Sequence, residues 1–402
     1  MEEDKTFNSS LLMLKLLAML ARSLHEAGAP AHRLEDTLHA VADAMGLDLV
    51  VFGTPTSVML QVDGHMEMLR VRPMDADLSR LVAVDRVGAR LARGTLSPEG
   101  AMEALQDLSD TPRRWGPAII LVAFAVGSMA AALLFGAGWV EALLAGGLAA
   151  FSAGASGRMS RNPHHERVMH LVVATGVALI AGLAASVYPM SPERVALAGL
   201  IVFVPGLSLT TAMAEMATGH LSAGTARTAG AAIVLLKLGL GTALGLELAS
   251  ALVDPVQGPL PAPPNAAYWP MVLVAGLSFG VLFQARMRDF VWIVMASVLA
   301  IGFTGVAIDL MGPRVGPGLG AFAMVLFSNA QARLRDVPAS VTLLPGLVLL
   351  VPGSVGFKGI QAFSHAQTMD GVSAVVEMLI VAMALVGGLL AANAVLPPRR
   401  EL

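Results

Sequence analysis

The pattern of apolar and polar positions changes character once along the chain, near Trp115. Before that point the patterns are short and mixed. From Ser9 to Glu26 apolar residues recur at helical spacing through Leu12, Leu16, Leu20 and Leu24, and Gly28-Ala29-Pro30 predicts the end of that helix. A second helix is predicted from Ala31 to Met45, stopping at Gly46. Leu47–Phe52, Ser57–Val62 and Met66–Val71 read as strands, the last two joined by a hairpin turn at Asp63-Gly64. Asp77–Ala92 and Ser97–Leu108 read as helices, the second capped by Ser97 with Glu99 in its first turn. Residues 1–115 are thus expected to form a small α+β domain with an antiparallel sheet.

Beyond Trp115 the chain becomes ten apolar runs between short polar breaks: 117–136, 139–156, 168–187, 195–214, 228–252, 270–285, 289–309, 316–331, 338–357 and 372–396. Each approaches the roughly 17–25 residues that a membrane helix needs, the sixth and eighth being short. Basic residues orient them. One set of connections holds Arg158, Arg161, Arg167, Arg227, Arg286, Arg288, Arg333 and Arg335, with Arg399 and Arg400 in the tail. The opposite set holds only Arg194, Arg314 and Lys358, which predicts both termini in the cytoplasm. Trp115, Trp139, Tyr188, Tyr268, Trp269 and Trp292 fall at or near run ends, where amphipathic rings favour the headgroup layer.

Composition sharpens the division. Of the first 115 residues 29 are charged, against 26 of the remaining 287. The first part has the charge of a soluble domain and the second that of protein dissolved in lipid. A soluble two-domain enzyme, a disordered chain and a nucleic-acid binder are excluded, and a net charge of −3 makes no polyanion-binding field. There is no cysteine, so disulfides and thiolate metal sites are excluded too. The N-terminus is acidic where a secretory signal would be basic, and the expectation is that residues 1–115 stay in the cytoplasm.

An internal repeat is also legible. Val204-Pro205-Gly206 and Val351-Pro352-Gly353 are offset by 147, as are Gly224 and Gly371, and Gly241 and Gly388. Trp115 and Trp269, each followed closely by proline, open two sets of five runs. Five is odd, so two such units joined end to end insert with opposite orientations, the usual architecture of secondary transporters. The predicted fold is a mostly α, polytopic membrane protein with about ten transmembrane helices in two inverted five-helix repeats, plus the N-terminal α+β cytoplasmic domain. The repeats occupy 116–253 and 269–402, with an external Pro-rich linker at 254–268.

Pro205 and Pro352 both lie near mid-membrane at about 1.5 Å per residue. A proline there removes a backbone hydrogen bond, and the freed polar groups are tolerable only in protein or against a wet cavity. A half-helix beginning after Pro205-Gly206 would aim N–H groups at that cavity beside Ser208, Thr210 and Thr211, and Ser354 could contribute from the other repeat. Such an end suits a carboxylate. The plain alternative is a kink without ligand. Charge inside the runs is sparse: Lys237 and Glu247 in the fifth, Glu377 in the tenth, Glu215 at the end of the fourth. Lys237 can add positive charge for a substrate, and Glu215 or Glu377 can carry a proton. Glu247 can instead snorkel to the interface.

His165 and His170 are five residues apart, diverging by about 140° on a helix, so the zinc-protease pattern is rejected. Arg33, Glu35 and Asp36 on the second helix, with Thr54 between strands, read either as a binding constellation or as a charged helix face and a tight turn. No nucleotide-binding loop is present, and no cofactor or metal is expected.

The segment Gly28-Ala29-Pro30-Ala31-His32-Arg33-Leu34-Glu35-Asp36-Thr37 followed by Phe52-Gly53-Thr54-Pro55-Thr56 resembles the bacterial threonine/serine exporter family. So does Val204-Pro205-Gly206 with Gly219, Gly224 and Arg227, while Pro345-Gly346 and Val351-Pro352-Gly353-Ser354 resemble the family's smaller second domain. The likeness covers almost the whole chain. It implies export of small polar amino acids across the bacterial inner membrane, driven by proton-motive force, by a protein that is not an enzyme and that could form homo-oligomers. Relatives with the halves on separate chains are associated with succinate, so a dicarboxylate is the alternative substrate. Where the family pattern implies Asp after the first Pro-Gly, this chain has Glu215. A membrane-anchored enzyme, or a sensor acting through the N-terminal domain, is the alternative of another class.

Overall fold

A computed structural model describes residues 2–72, 76–260, 262–263, 265–350 and 368–398. The N-terminal part runs α1 (Glu2–Glu26), α2 (Ala31–Ala44), β1 (Leu49–Gly53), β2 (Ser57–Val62), β3 (His65–Arg70), α3 (Leu78–Ala92) and α4 (Pro98–Asp110). The sheet is antiparallel in the order β1-β2-β3. Asp63 and Gly64 both take positive φ, 48° and 84°, as a two-residue turn matched to strand twist requires. Asp77, expected as the first residue of a helix, is instead the cap of α3, its carboxylate accepting from Arg80 N–H. Ser97 does the same for α4. Val58, Leu60 and Val62 alternate inward and join Leu16, Leu20, Leu34 and Leu38 in one core. The outer sheet face exposes Val50, Phe52, Met59, Met66 and Met68.

The chain bends between α1 and α2 at Gly28, whose φ is 83°. A Cβ there would lie 2.7 Å from Ala76 Cα, so glycine lets the backbone before α3 pass against the α1–α2 corner.

The apolar part comprises α5 (Pro117–Leu134), α6 (Trp139–Met159), α7 (Pro163–Ala184), α8 (Pro192–Gly199), a single 3₁₀ turn at Ile201–Phe203, α9 (Gly206–Ala217), α10 (Leu221–Ser250), α11 (Tyr268–Leu282), α12 (Phe290–Met311), α13 (Gly316–Arg335), α14 (Ser340–Leu350) and α15 (Thr368–Val395). Among the described residues six helical segments are long and apolar enough to cross a membrane, and the pair Pro192–Gly199 and Ile201–Ala217, bent by 56°, would make a seventh. Helices α11 and α14 are apolar but shorter. The third and fifth runs continue as helix into polar sequence, starting at Pro163 and Leu221 rather than near 168 and 228. Hydropathy marks where lipid begins, whereas the hydrogen-bond ladder continues until a cap or proline stops it. Pro345 sits inside α14 without ending it. Pro352, Gly353 and Ser354 lie outside the described residues.

Many of the buried positions here are small, although Leu200, Leu238 and Ile293 are buried with them. Ala142, Ala145, Ala149, Ala174, Ala178 and Ala181 are fully buried, while Leu143, Leu240 and Val291 are exposed. Lipid tails are as apolar as leucine, so close backbone approach decides which face packs. Two such approaches recur 147 residues apart. Gly241 of α10 meets the Leu171 carbonyl of α7, and Gly388 of α15 meets the Gly318 carbonyl of α13. Gly199 of α8 packs on Val177, and Gly346 of α14 on Met324. Neighbours match as well. Helix α6 packs on α5, α7 and α8, and α7 on α8 and α10; α12 packs on α11, α13 and α14, and α13 on α14 and α15. The two sets meet where α5 crosses α11, with Gly127 against Ser278.

Each set also holds one buried carboxylate at its second helix. Glu141 accepts from the N–H groups of Gly138 (2.7 Å) and Ser191 (2.9 Å), with Arg194 at 3.6 Å. Asp289, just before α12, is paired with Arg286 (2.7 Å) and Arg335 (3.0 Å). Both tie the connection before the second helix to the connection before the fourth.

Candidate functional site

The fourth apolar run cannot stay one helix because proline at 205 has no N–H to donate. Helix α8 ends at Gly199, the 3₁₀ turn follows, and Pro205 holds φ −79° and ψ 46° before α9 starts at Gly206. No side chain among the described residues caps α9. Its first-turn N–H groups have no helical acceptors, and they carry the partial positive charge of the helix N-terminus.

This break forms a wall of a cavity of about 1440 Å³. Ile201 through Ser208 and Thr211 line it, so Pro205, Gly206, Ser208 and Thr211 share one wall. The volume exceeds what a single amino acid needs. Arg80, Arg113, Arg158, Arg161 and Arg227 line it against the acids Glu26 and Asp77, giving it a positive bias. Phe203 links the break to Phe124 (ring centroids 5.9 Å apart) and to His170 (6.1 Å).

Other sequence-derived candidates lie elsewhere. Thr210 is buried, its hydroxyl donating to Gly206 O at 3.3 Å, so it supports the first turn of α9. Lys237 donates to Arg167 O at 2.8 Å across the seam of α7 and α10, and is not in the cavity lining. Glu377 is half-buried on α15 and forms no ion pair among the described residues. Its neighbour Met378 packs with Leu209, Ala231 and Leu235, which brings α15 against α9 and α10.

Glu215 is the most constrained of the set. It is fully buried at the end of α9, and Arg227 holds it with two bonds, Nε to Oε2 at 3.0 Å and a terminal guanidinium nitrogen to Oε1 at 2.9 Å. Local sequence explains the geometry. Gly219 turns the chain with φ 89°, and Gly224 lets α10 pass against Ala212 O, where a Cβ would sit 2.7 Å away. One turn further, Arg227 stands beside Glu215. Charge alone puts Arg227 in a basic connection, whereas its spacing from Gly219 and Gly224 brings it back onto Glu215 from within α10.

The third donor to Glu215 comes from the N-terminal part: Ala31 N–H, at the start of α2, bonds Oε1 at 3.0 Å. Beside it Glu35 pairs with His220 at 3.3 Å and accepts Gly53 N–H at 2.8 Å. Thr54 closes the β1–β2 turn by accepting Ser57 N–H at 3.0 Å. Arg33 is opposed by burial and favoured in its charged form by Asp85 and Asp36. Thus Arg33, Asp36 and Thr54 hold the N-terminal part together, while Glu35 reaches the membrane part. His32 stands between, its ring 6.0 Å from that of His220, with Nδ1 buried and unpartnered. Desolvation by burial pushes its pKa down to about 4, against the pull of Glu215, so it is neutral near pH 7. Burial and Arg227 lower that of His25 as well.

Comparison with known proteins gives this arrangement a context. Family models of threonine/serine exporters match residues 15–249 and residues 269–395. A probable threonine/serine exporter of Mycobacterium tuberculosis is 26% identical over 96% of this chain and 77% of its own length. A threonine/serine exporter of Corynebacterium glutamicum is 23% identical over 79% of this chain and 67% of its own. A pheromone-regulated membrane protein of Candida albicans is 23% identical over 89% of this chain, which spans 34% of that longer protein. No solved structure matches. The two bacterial relatives are named as transporters rather than enzymes, and with the first model matching more than half of its length, the chain is a membrane protein that belongs to the threonine/serine exporter family.

Proposed function

We propose that the protein is a secondary exporter of small polar amino acids, threonine- or serine-like, across the bacterial cytoplasmic membrane, with both termini in the cytoplasm. The observation that carries this reading is the uncapped start of α9 opening into a large cavity inside a chain of exporter kinship. A substrate carboxylate meets the N–H groups after Gly206, with Ser208 and Thr211 as polar neighbours. Pro352, Gly353 and Ser354 are the counterparts of this motif in the second half, and Lys237, outside the lining on the α7–α10 seam, adds positive charge only at longer range. Glu215 and Glu377 are the proton carriers, both being carboxylates in helices that meet at α9 and α15.

The reading includes ten spans in two inverted five-helix repeats, 116–253 and 269–402, joined by an external linker and preceded by the cytoplasmic domain 1–115. Supporting it are the matched close approaches at an offset of 147, the matched neighbours and the two carboxylate–arginine staples. Inverted halves exchange conformations to alternate access around a fixed central site. The five arginines along the cavity favour a second reading, export of a dicarboxylate such as succinate. Purified protein in liposomes loaded with labelled threonine, serine or succinate separates them. Gradient-sensitive efflux of threonine or serine is expected, efflux of succinate alone selects the alternative, and no flux of any refutes both.

A further inference from the structure

Resting on that reading, we propose that the cytoplasmic domain is the inner gate of the transport cavity, a strap fastened to both halves of the membrane region that lets go during each cycle. The domain forms part of the cavity wall itself, through Glu26, Gly28, Pro30, Ala76, Asp77 and Arg80. It is fastened to the first half where Ala31 N–H meets Glu215 and where Glu35 meets His220. It is fastened to the second half where Leu78 N–H bonds Phe283 O, at the end of α11, at 2.9 Å. Ala76 and Leu78 there share an apolar cluster with Ala285, Ile293 and Leu344, against Leu207 of α9. One small domain therefore bridges the two bodies whose relative movement opens or closes this end of the cavity.

The fastening also touches the substrate end. Helix α9 begins at the break and ends beside Glu215, so a shift of Gly206 on substrate binding moves the carboxylate that Ala31 holds. A helix transmits such a displacement because its hydrogen-bond ladder resists bending more than a loop does. Few polar bonds and one small apolar cluster make the contact, which suits repeated release better than permanent attachment.

The cysteine-free chain allows a direct test by reversible stapling. His32→Cys with His220→Cys staples the domain to the first half, and Leu78→Cys with Phe283→Cys staples it to the second, each with a short reducible thiol cross-linker in liposomes. Stapling is expected to slow threonine or serine efflux about tenfold or more, and reductant to restore it. Complete cross-linking with unchanged flux at either pair overturns the gate. Lack of flux in the unmodified protein is instead a failure of the exporter reading. Hydrogen exchange reads the release without transport: the Ala31 and Leu78 amides should exchange together, and faster than Leu60 N–H in the central strand. Protection equal to that of Leu60 overturns the proposal.

Discussion

The N-terminal domain and the membrane region solve the packing problem in opposite ways. In the domain, Leu16, Leu20, Leu38 and Leu60 are buried, as water demands. In the membrane region alanine, glycine and serine are buried while Leu143, Leu240 and Val291 point outward. The difference teaches that hydrophobic periodicity locates the core only where the alternative is water. In lipid the small residue is the more informative one, since large apolar side chains are found both buried, as Leu200 and Leu238 are, and exposed. Between the regions lies a third environment, the seam of Glu215, Arg227, Ala31 and His32, where polar groups are buried and must find partners.

The seam should give the largest effect. Arg227→Ala leaves Glu215 buried without its guanidinium and is expected to cost about 3–5 kcal/mol, read as a fall in thermal stability together with loss of flux. Arg227→Lys should recover only part, because an ammonium cannot make both bonds at once. In the domain core, Leu60→Ala is expected to cost about 2–5 kcal/mol by chemical denaturation. The inverted rule is tested by Gly241→Ala and Gly388→Ala, each expected to cost about 1–3 kcal/mol although alanine is the better helix former. Unchanged thermal stability in both would break the comparison.

The seam also predicts a pH dependence. His32 has its pKa lowered to about 4 by burial, against 6.5 in the unfolded chain. Between those values the unfolded state binds more protons, so stability is retained above pH 6.5 and falls as pH drops toward 4, by up to roughly 1.4 kcal/mol per unit. His32→Gln should flatten that slope in melting experiments; an unchanged slope assigns the effect to other groups. The smallest effect belongs to the lipid face, where Leu240→Ala should change stability by less than about 0.5 kcal/mol. A loss comparable to that of Leu60→Ala would mean that Leu240 packs against protein.

Much of this was legible beforehand. The helices and strands of the domain, the Asp63-Gly64 turn and the Ser97 cap follow from local patterns, and the structure moves their ends by only a few residues, apart from α1, which starts at Glu2 rather than near Ser9. The break at Pro205 was likewise readable, because a missing N–H acts on its own turn regardless of context. The pairing of Gly241 with Gly388 could be seen as an offset, although their partners Leu171 and Gly318 could not.

What the amino-acid order determined alone is the change at Trp115 from short mixed patterns to long apolar runs, the place of the broken helix and the internal offset, all consequences of local chemistry. Only the tertiary structure decided that Lys237 is spent on a carbonyl of α7, that Thr210 turns away from the cavity, and that Glu215 is shared by Arg227 and Ala31. Such pairings join residues up to 184 positions apart, and no local preference encodes which buried donor will meet which buried acceptor. That is settled when the helices pack and geometry brings a partner to some of the polar groups left inside, such as Glu215, and not to others, such as His32 Nδ1.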